Sequence, residues 1–244
     1  MSSQFDPLAR AYEESFDLPW RRHLEAHTVL ELLGDLPGRS VLDIGCGTGH
    51  YCRSIKRAGA ARVVGYDISE GMLTHARARE ETEGLGVEYT SAPPPRGAFD
   101  LALGVYVLPY AEDYPSLVRL CSIAADALRD GGRFVTLPLN PDYSHDADYY
   151  GRYGIRVYDD EVRADGSKIT LQLAFGPHDQ VITARHWTGA TLERALTEAG
   201  FTDIEWPGYG VSPEGVREHG EEFWSAYLSL PHASVITCRK GAAG

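Results

Sequence analysis

A glycine-rich loop that follows a short apolar run is the feature that most constrains the fold. Residues 41–44 (Val-Leu-Asp-Ile) lead into Gly45-Cys46-Gly47-Thr48-Gly49, and a helical pattern starts soon afterwards. Glycines in such a loop permit positive φ angles and let a ligand approach the backbone closely. A strand, a glycine loop and a helix in this order are typical of an open α/β sheet that binds its ligand at the carboxyl ends of the strands.

The rest of the chain repeats this alternation. Short apolar runs alternate with segments of helical period from residue 40 to residue 139, which predicts a doubly wound, mostly parallel sheet in an α/β fold. A helical cap precedes the sheet, and antiparallel strands interrupt it after residue 140. We predict helices over 5–14, 20–33, 51–57, 71–80, 114–128, 188–199 and 212–228, and strands over 41–44, 62–66, 87–90, 99–107, 133–137, 155–162, 169–175, 181–187, 201–206 and 233–239.

Two details distinguish the loop from one that binds a dinucleotide. Gly49 follows Gly47 by two residues, whereas the dinucleotide fingerprint places the third glycine three residues after the second. Asp43 directly precedes the loop, where a carboxylate would repel a pyrophosphate but attract an ammonium group. Asp67 ends the next strand, where a carboxylate can accept both hydroxyls of a ribose. The pattern therefore predicts a cationic nucleotide ligand, with Ile68 and Met72 as apolar surface for its purine.

On these motifs the chain resembles the class I S-adenosylmethionine-dependent methyltransferases of small-molecule type. The resemblance rests on the segment from Asp43 to Gly49, on Asp67-Ile68-Ser69 with Met72, and on Phe99-Asp100-Leu101 at the start of the fourth strand. It implies a seven-stranded Rossmann-like methyltransferase fold with S-adenosylmethionine as cofactor. The cofactor-binding residues that it implies are Tyr12, Asp43, Gly45, Cys46, Gly47, Gly49, Asp67, Ile68, Met72, Ser91, Ala92, Gly104 and Val105. Ser91 departs from the family pattern, because many members carry an acidic residue there.

The resemblance also divides the chain into four parts. Residues 1–38 form a helical cap, 39–139 the cofactor-binding core, 140–187 a substrate-side insertion, and 188–244 the carboxyl-terminal part of the core sheet. The cap and the insertion are expected to form a lid over the acceptor. The chain is also faintly similar to the toxoflavin-synthase-like methyltransferases, which implies a role in bacterial secondary metabolism such as antibiotic biosynthesis.

The expected chemistry is methyl transfer to nitrogen or oxygen of a small aromatic or heteroaromatic metabolite. Alignment of acceptor and donor can supply most of the rate, since effective molarities of aligned groups reach about 10⁵ M. A general base is needed only for an acceptor that is protonated when it attacks, and we predict His178 or His186 for this role. Aromatic side chains can stack on a flat acceptor, and the candidates are Tyr106, Tyr110, Tyr143, Trp187 and Tyr209.

Two alternatives remain open at this level. The same pocket could bind S-adenosylmethionine and use its sulfonium as an electrostatic catalyst of another reaction, because a fold does not fix its chemistry. A non-enzymatic partner-binding module on the same fold is the second alternative. Oxidoreduction with NAD is disfavoured by the glycine spacing and by Asp43.

Composition excludes several other classes. The 23 basic and 35 acidic side chains give a net charge of −12, and no Lys/Arg cluster is present, so we expect no nucleic-acid partner. The chain shows no export signal, and its longest apolar stretch, 101–108, is too short for a bilayer, so we expect no membrane partner and a cytoplasmic location. We expect a monomer or homodimer that acts on a small molecule.

No metal site is predicted. The four cysteines form no CxxC pair, so neither a structural zinc nor a disulfide is implied. Two acidic clusters with a histidine resemble ligand sets only in composition, and we interpret them as solvated surface. They are His145 with Asp146 and Asp148, and His219 with Glu221 and Glu222.

Overall fold

The computed structural model describes residues 8–159 and 163–242. Its helices are α1 (Ala9–Ser15), α2 (Ala26–Leu33), α3 (His50–Arg57), α4 (Glu70–Glu83), α5 (Tyr114–Ala127), α6 (Gly189–Glu198), α7 (Pro213–His219) and α8 (Glu221–Ser229). Its strands are β1 (Ser40–Ile44), β2 (Arg62–Tyr66), β3 (Glu88–Thr90), β4 (Phe99–Val105), β5 (Leu128–Leu137), β6 (Ile155–Asp159), β7 (Lys168–Phe175), β8 (His178–Arg185), β9 (Phe201–Glu205) and β10 (Ile236–Lys240). A π-helical turn, Arg21–Glu25, leads into α2.

Seven strands form one sheet in the order β3-β2-β1-β4-β5-β10-β9. Strand β1 pairs in parallel with both β2 and β4, and β10 runs antiparallel to β5 and β9. The predicted doubly wound, mostly parallel sheet is thus confirmed. The strand order reverses between β1 and β4, and in open α/β sheets ligands bind outside the carboxyl ends of the strands at such a point.

Alternating side chains of the central strands supply both faces of the core. On β1, Leu42 and Ile44 join an apolar cluster with α5 and α6, whereas Val41 joins a second cluster with α2 and α3. All five residues of β1 are buried, as expected for a strand covered by helices on both sides. Burial of each such aliphatic side chain contributes about 1.5–3 kcal/mol. This packing fixes the position of the glycine loop, which follows β1 at the carboxyl ends of the parallel strands.

The insertion forms a separate antiparallel sheet in the order β6-β7-β8. This confirms the predicted antiparallel strands, although residues 160–162 of the first strand lie outside the described residues. A third apolar cluster joins this sheet to Trp20 and Leu24 of the amino-terminal segment and to Trp224 of α8. The insertion and the amino-terminal segment therefore pack together above the main sheet.

Backbone geometry accounts for the main differences from the predicted elements. The predicted helix 212–228 is two helices, α7 and α8, because Gly220 lies between them with φ 78°. Strand β4 stops at Val105 because Tyr106 has φ 56°, a left-handed conformation that a strand does not accommodate. The predicted helix 20–33 starts with the π-helical turn, and the first residues of the predicted helix 5–14 lie outside the described residues.

None of the helices in the described ranges combines the length and apolarity that crossing a bilayer requires.

Candidate functional site

A cavity of about 290 Å³, here called the large cavity, lies at the carboxyl ends of β1, β2 and β4. Its walls are the glycine loop, the end of β2, the residues after β4 and the amino-terminal segment. The lining residues are Tyr12, Phe16, Arg21, Asp43, Ile44, Gly45, Cys46, Gly47, Thr48, Tyr51, Tyr66, Asp67, Ile68, Met72, Val105, Tyr106, Val107, Tyr110, Leu120 and Ile123.

The glycine loop needs glycine for two separate reasons. Gly45, Gly47 and Gly49 have φ angles of 65°, 53° and 80°, in the region that side chains disfavour. A Cβ at Gly49 would also lie 2.2 Å from the Tyr89 hydroxyl. At Gly47, by contrast, a Cβ would meet no atom within 4 Å, so this glycine borders open space. The loop therefore combines a tight fit beneath it with an accessible backbone at Gly47.

Asp67 joins the loop to the end of β2. Its Oδ2 accepts a hydrogen bond of 2.8 Å from the Gly47 amide, and its Oδ1 accepts one of 2.8 Å from the Ser69 amide. Asp67 also lines the large cavity. It therefore holds the loop in place and presents a carboxylate, a hydrogen-bond acceptor, to a ligand in the cavity.

Asp43 has a different environment. It is buried, and the Cys52 thiol donates to its Oδ2 at 3.2 Å. Burial raises the pKa of Asp43 to about 7; the Cys52 hydrogen bond opposes this shift and the charge of Asp67 adds to it. A ligand ammonium placed here would stabilise the ionised carboxylate.

The amino-terminal segment contributes a buried ion pair. Arg21 Nε lies 3.3 Å from Glu25 Oε1, and both side chains are almost fully buried. Tyr51 donates to the same carboxylate at 2.7 Å, and the Tyr106 hydroxyl donates to its other oxygen. Burial is the largest influence and lowers the pKa of Arg21, but Glu25 and the neighbouring tyrosines together outweigh it, so the pKa of Arg21 is raised. Among the described residues that line the large cavity, Arg21 is the only one with a cationic side chain.

Aromatic rings surround this guanidinium. Its central carbon lies 4.2 Å from the centroid of the Phe16 ring, and Phe16 stacks on His50 with 3.6 Å between centroids. Burial lowers the pKa of His50 to about 3, so the ring is neutral near pH 7. These contacts hold Arg21 against the wall of the large cavity and shield its guanidinium from water.

A second, small cavity of about 30 Å³ shares Tyr12, Arg21, Tyr106 and Tyr110 with the large one. Apolar side chains of the insertion sheet form its far wall, including Leu171 and Ile182. The predicted lid of cap and insertion therefore contacts a shared wall of tyrosines. This volume holds about one water molecule, so a larger ligand would require these side chains to move.

Tyr106 connects the shared wall to a buried histidine. Its hydroxyl oxygen lies 3.3 Å from His232 Nε2, and the Tyr227 hydroxyl lies 2.7 Å from His232 Nδ1. Burial, with a smaller effect of Arg21, lowers the pKa of His232 to about 3, and burial raises that of Tyr106 well above its usual value. Both groups are therefore neutral near pH 7.

Most of the predicted site residues line the large cavity. They are Tyr12, Asp43, Gly45, Cys46, Gly47, Asp67, Ile68, Met72 and Val105 of the predicted cofactor set, and Tyr106 and Tyr110 of the predicted acceptor set. Ile68 is 77% exposed at the rim, which leaves apolar surface for a ligand to cover.

Four predicted cofactor residues lie elsewhere. Gly49 packs beneath the loop against Tyr89. Ser91 and Ala92 are exposed, because β3 ends at Thr90 and the chain turns away into a proline-rich loop. The carbonyl of Gly104 accepts a hydrogen bond of 2.7 Å from Thr136 Oγ1, so this contact joins β4 to β5 within the sheet.

The two predicted bases also lie outside both cavities. His178 Nε2 lies 2.6 Å from Glu14 Oε2, and this pair joins the insertion to α1. His186 is buried with Nε2 3.0 Å from the carbonyl of Pro141. The His178 ring thus ties β8 to α1, the His186 ring ties the residue after β8 to the start of the insertion, and neither ring lines a cavity.

Three aromatic side chains that were predicted to contact the acceptor line neither cavity and pack against other parts of the protein. Tyr143 donates to Asp159 at 2.8 Å beneath the Arg163 guanidinium. Trp187 belongs to the apolar cluster under α6. Tyr209 packs edge-on against Tyr227, with ring centroids 5.9 Å apart. Aromatic composition alone did not separate these side chains from Tyr106 and Tyr110.

Arg21, Glu25 and His232, together with Tyr51 and Tyr66, are polar residues at the site that were not predicted from the sequence. Arg21 and Glu25 are spaced i, i+4, which on a helix usually indicates an exposed ion pair. Arg21 directly follows Trp20, and Glu25 directly follows Leu24. Because both of these apolar residues are buried, their position next to them is the one sequence signal that Arg21 and Glu25 belong to a buried turn. His232 stands alone in the sequence before the last strand and gives no such signal.

Comparison with known structures identifies the fold. An S-adenosylmethionine-dependent methyltransferase from Mesorhizobium loti superposes with a TM-score of 0.62 and 22% identity, over 93% of this chain and 100% of that chain. The fold is that of the class I S-adenosylmethionine-dependent methyltransferases. A family model described as a methyltransferase domain matches residues 19–205, so the chain belongs to the methyltransferase-domain family. The predicted class, fold and cofactor are thus confirmed at the level of the family.

Two curated relatives have more specific names. A ubiquinone biosynthesis O-methyltransferase from Bordetella avium is 36% identical over 126 residues, which cover 48% of this chain and 51% of the relative. A demethylmenaquinone methyltransferase from Tropheryma whipplei is 35% identical over 159 residues, which cover 61% of this chain and 63% of the relative. The chain therefore matches about half to two thirds of the length of these relatives.

The residues of the large cavity fit the cofactor. It has a buried carboxylate at Asp43 for an ammonium group, a cation at Arg21 for a carboxylate, and an acceptor at Asp67 for hydroxyls. The exposed apolar rim at Ile68, beside buried Met72, suits a purine. A diphosphate would require several cationic groups, and the described residues that line this cavity include a single one, Arg21.

Proposed function

We propose that this protein transfers a methyl group from S-adenosylmethionine to an oxygen or nitrogen of a small aromatic or heteroaromatic acceptor. The observation that carries the proposal is the wall of four side chains shared by the two cavities, because it places tyrosines between the proposed cofactor site and a small, mostly apolar cavity. The names of the two curated relatives refer to quinone-type compounds, which supports an aromatic or quinol-like acceptor. The role in bacterial secondary metabolism stays part of the proposal.

The cofactor would bind along the large cavity in one orientation. The Asp43 carboxylate would bind the ammonium group of the methionine portion, and the Arg21 guanidinium its carboxylate. Asp67 would accept the ribose hydroxyls, and the adenine would cover Ile68 and Met72. When bound, the cofactor supplies a methyl group on a positively charged sulfur.

The acceptor would enter beside Tyr106 and Tyr110. The small cavity holds about one water molecule, so the amino-terminal segment must shift before an aromatic ring can enter. Burial of the ring among tyrosines would align the acceptor and exclude water, which are the two contributions that methyl transfer most needs. Tyr12, which lies on the amino-terminal side of this wall, would cover both ligands.

The proton of an acceptor hydroxyl would leave through Tyr106. Its oxygen can accept that proton while its own proton passes to Glu25, the carboxylate to which it already donates. The raised pKa of Tyr106 disfavours a free phenolate, so both transfers would occur together. Glu25 is thus the proposed terminal base, in place of His178 and His186.

Radiolabelled cofactor and a panel of phenolic, quinol and heteroaromatic acceptors test the function. Labelled product together with S-adenosylhomocysteine supports methyl transfer. Cofactor binding without demethylation for every acceptor would instead favour the other S-adenosylmethionine reaction.

Two variants test the proton path with an active acceptor. Glu25→Gln and Tyr106→Phe are expected to lower kcat by roughly 10²–10⁴-fold, the usual contribution of general base catalysis. Tyr143→Phe is the matched control, because it also removes one buried phenol hydroxyl but outside both cavities. An unchanged kcat in both test variants would contradict the assignment of Glu25.

A further inference from the structure

Three side chains with metal-ligating atoms meet where the π-helical turn packs against α7. His23 Nε2 lies 3.1 Å from Glu218 Oε2, and His219 Nε2 lies 3.8 Å from the same oxygen. The three candidate ligand atoms all lie within 4.8 Å of one another. In the sequence His219 lies beside Glu221 and Glu222, but the tertiary structure brings His23 to it from the other end of the chain.

The buried member of this group is held in place by its neighbours. His23 is 3% exposed, and its Nδ1 lies 3.0 Å from Ser212 Oγ. The Ser212 amide also donates to the His23 carbonyl at 2.7 Å, so Ser212 contacts both the ring and the backbone. A hydrogen bond at Nδ1 leaves Nε2 directed at Glu218, the arrangement by which a second residue orients a histidine ligand.

A glycine permits the close approach of α7 to His23. A Cβ on Gly215 would lie 2.5 Å from His23 Cβ, so no other residue fits without a shift. Gly215 also donates to Ser212 Oγ at 3.0 Å, which caps α7. The ring of His219 stacks on Phe223 with centroids 4.9 Å apart. Contacts on both histidines therefore preorganise the cluster.

The spacing and the ligand types suit zinc. Zinc binds histidine nitrogen and carboxylate oxygen at about 2.0–2.2 Å in tetrahedral geometry, so neighbouring ligand atoms lie roughly 3.3–3.5 Å apart. The distances of 3.1 and 3.8 Å lie on either side of this value. Glu218 and His219 are 45% and 28% exposed, so both can adjust by the small difference. Calcium and magnesium prefer sites built from oxygen alone.

We propose that His23, Glu218 and His219 form a Zn²⁺ site that joins the π-helical turn to α7, with water as the fourth ligand. His23 lies in the same five-residue turn as Arg21 and Glu25. Bound zinc therefore stabilises the turn that carries Arg21, the cation of the large cavity, and Glu25, its counter-ion. The site is separate from the two cavities and does not depend on the proposed methyl transfer.

Zinc titration of the tag-free, metal-stripped full chain tests the site directly, with a chromophoric chelator as competitor. We expect one Zn²⁺ per chain and a rise in Tm with zinc concentration. Glu218→Gln and His219→Gln should each weaken zinc binding at least tenfold and abolish the rise in Tm. Both changes are at partly exposed positions, so the fold should persist.

His27→Gln is the matched control. His27 Nε2 lies 3.4 Å from Glu31 Oε1 on the neighbouring helix, and this pair belongs to no three-ligand group among the described residues. Its loss should leave zinc affinity unchanged. Absence of one-to-one binding at 100 µM zinc, or equal affinity in wild type and in His219→Gln, would overturn the proposal.

Cobalt substitution gives an independent readout of geometry. Co²⁺ in the wild-type site is expected to give the intense visible absorption of a tetrahedral complex, and His219→Gln should lose it. A weak, six-coordinate spectrum in the wild type would also overturn the proposed ligand set.

Discussion

The Gly47 amide donates a hydrogen bond of 2.8 Å to Asp67 Oδ2, which joins the glycine loop to the end of β2. The two halves of the proposed cofactor site are therefore coupled through one carboxylate. A change at Asp67 affects both the ribose contact and the conformation of the loop.

Asp67→Ala should weaken S-adenosylmethionine binding by roughly 100-fold or more. Each hydrogen bond to a charged group contributes about 1.5–3 kcal/mol, and the variant loses the ribose contacts as well as the support of Gly47. Isothermal titration of cofactor into the purified protein measures this. Asp67→Asn retains a side-chain acceptor and should fall between wild type and Asp67→Ala. An unchanged dissociation constant in Asp67→Ala would show that the cofactor binds elsewhere.

Cofactor affinity should increase with pH up to about 7. Burial raises the pKa of Asp43 to about 7, and only its ionised form attracts the ammonium group. Below pH 7 the affinity should fall by up to tenfold for each pH unit. Titrations between pH 5.5 and 8.5 would give this profile, and Asp43→Asn should bind weakly with a flat profile. A profile of the same slope in the variant would exclude Asp43 as its source.

Asp43→Asn should also stabilise the ligand-free protein at pH 8. The folded pKa of Asp43 is raised above the unfolded value, so the folded state binds the extra proton and loses stability as pH rises from about 4 to 7. A shift of about three pH units corresponds to about 4 kcal/mol, which the neutral asparagine avoids. Urea unfolding at pH 5 and pH 8 measures the difference. A variant that is less stable than wild type at pH 8 would argue against the shift.

Gly49→Ala should destabilise the fold more than Gly47→Ala. Both positions have positive φ, which costs an L-residue about 1 kcal/mol or more. At Gly49 the added Cβ would also meet the Tyr89 hydroxyl, whereas at Gly47 it meets no atom within 4 Å. Denaturant midpoints of the two variants provide the comparison. Equal destabilisation would indicate that Tyr89 moves away without cost.

Arg21→Met should cost about 3–5 kcal/mol of stability, because it leaves the Glu25 charge buried without its partner. The double variant Arg21→Met/Glu25→Gln should be more stable than Arg21→Met, since no uncompensated charge remains. A double-mutant cycle from denaturant unfolding gives the coupling. Additive effects of the two changes would show that the pair is not coupled in the folded state.

The chain sequence was sufficient for the fold and for half of the site. Alternating apolar runs and helical periods reflect burial on both faces of the sheet, so the succession of strands and helices along the chain followed from local patterns. Asp43 and Asp67 could be predicted to lie close together, because Asp43 is near the carboxyl end of β1, Asp67 directly follows β2, and the ends of parallel strands meet at one edge. The glycine loop was recognisable for the same reason, since positive φ leaves a direct trace in residue type.

The acceptor side depended on contacts between segments that are distant in the chain. Tyr106 and Tyr143 are both tyrosines near predicted strand ends, yet of the two only Tyr106 lines the cavities. Tyr106 directly follows β4 at the carboxyl edge of the sheet, and its positive φ ends the strand there. Nothing in the sequence distinguishes His178 and His186 from His232. Only the packing of the folded chain shows that His232, and neither of the other two, lines the small cavity.

Sequence alone therefore determined where the sheet places its carboxylates, since that depends on periodicity and on the backbone freedom of glycine. Tertiary structure decided which polar groups are buried together. Arg21, Glu25 and His232 come from opposite ends of the chain, and only the packing of the cap against the last turns before β10 removes them from water and brings them to Tyr106.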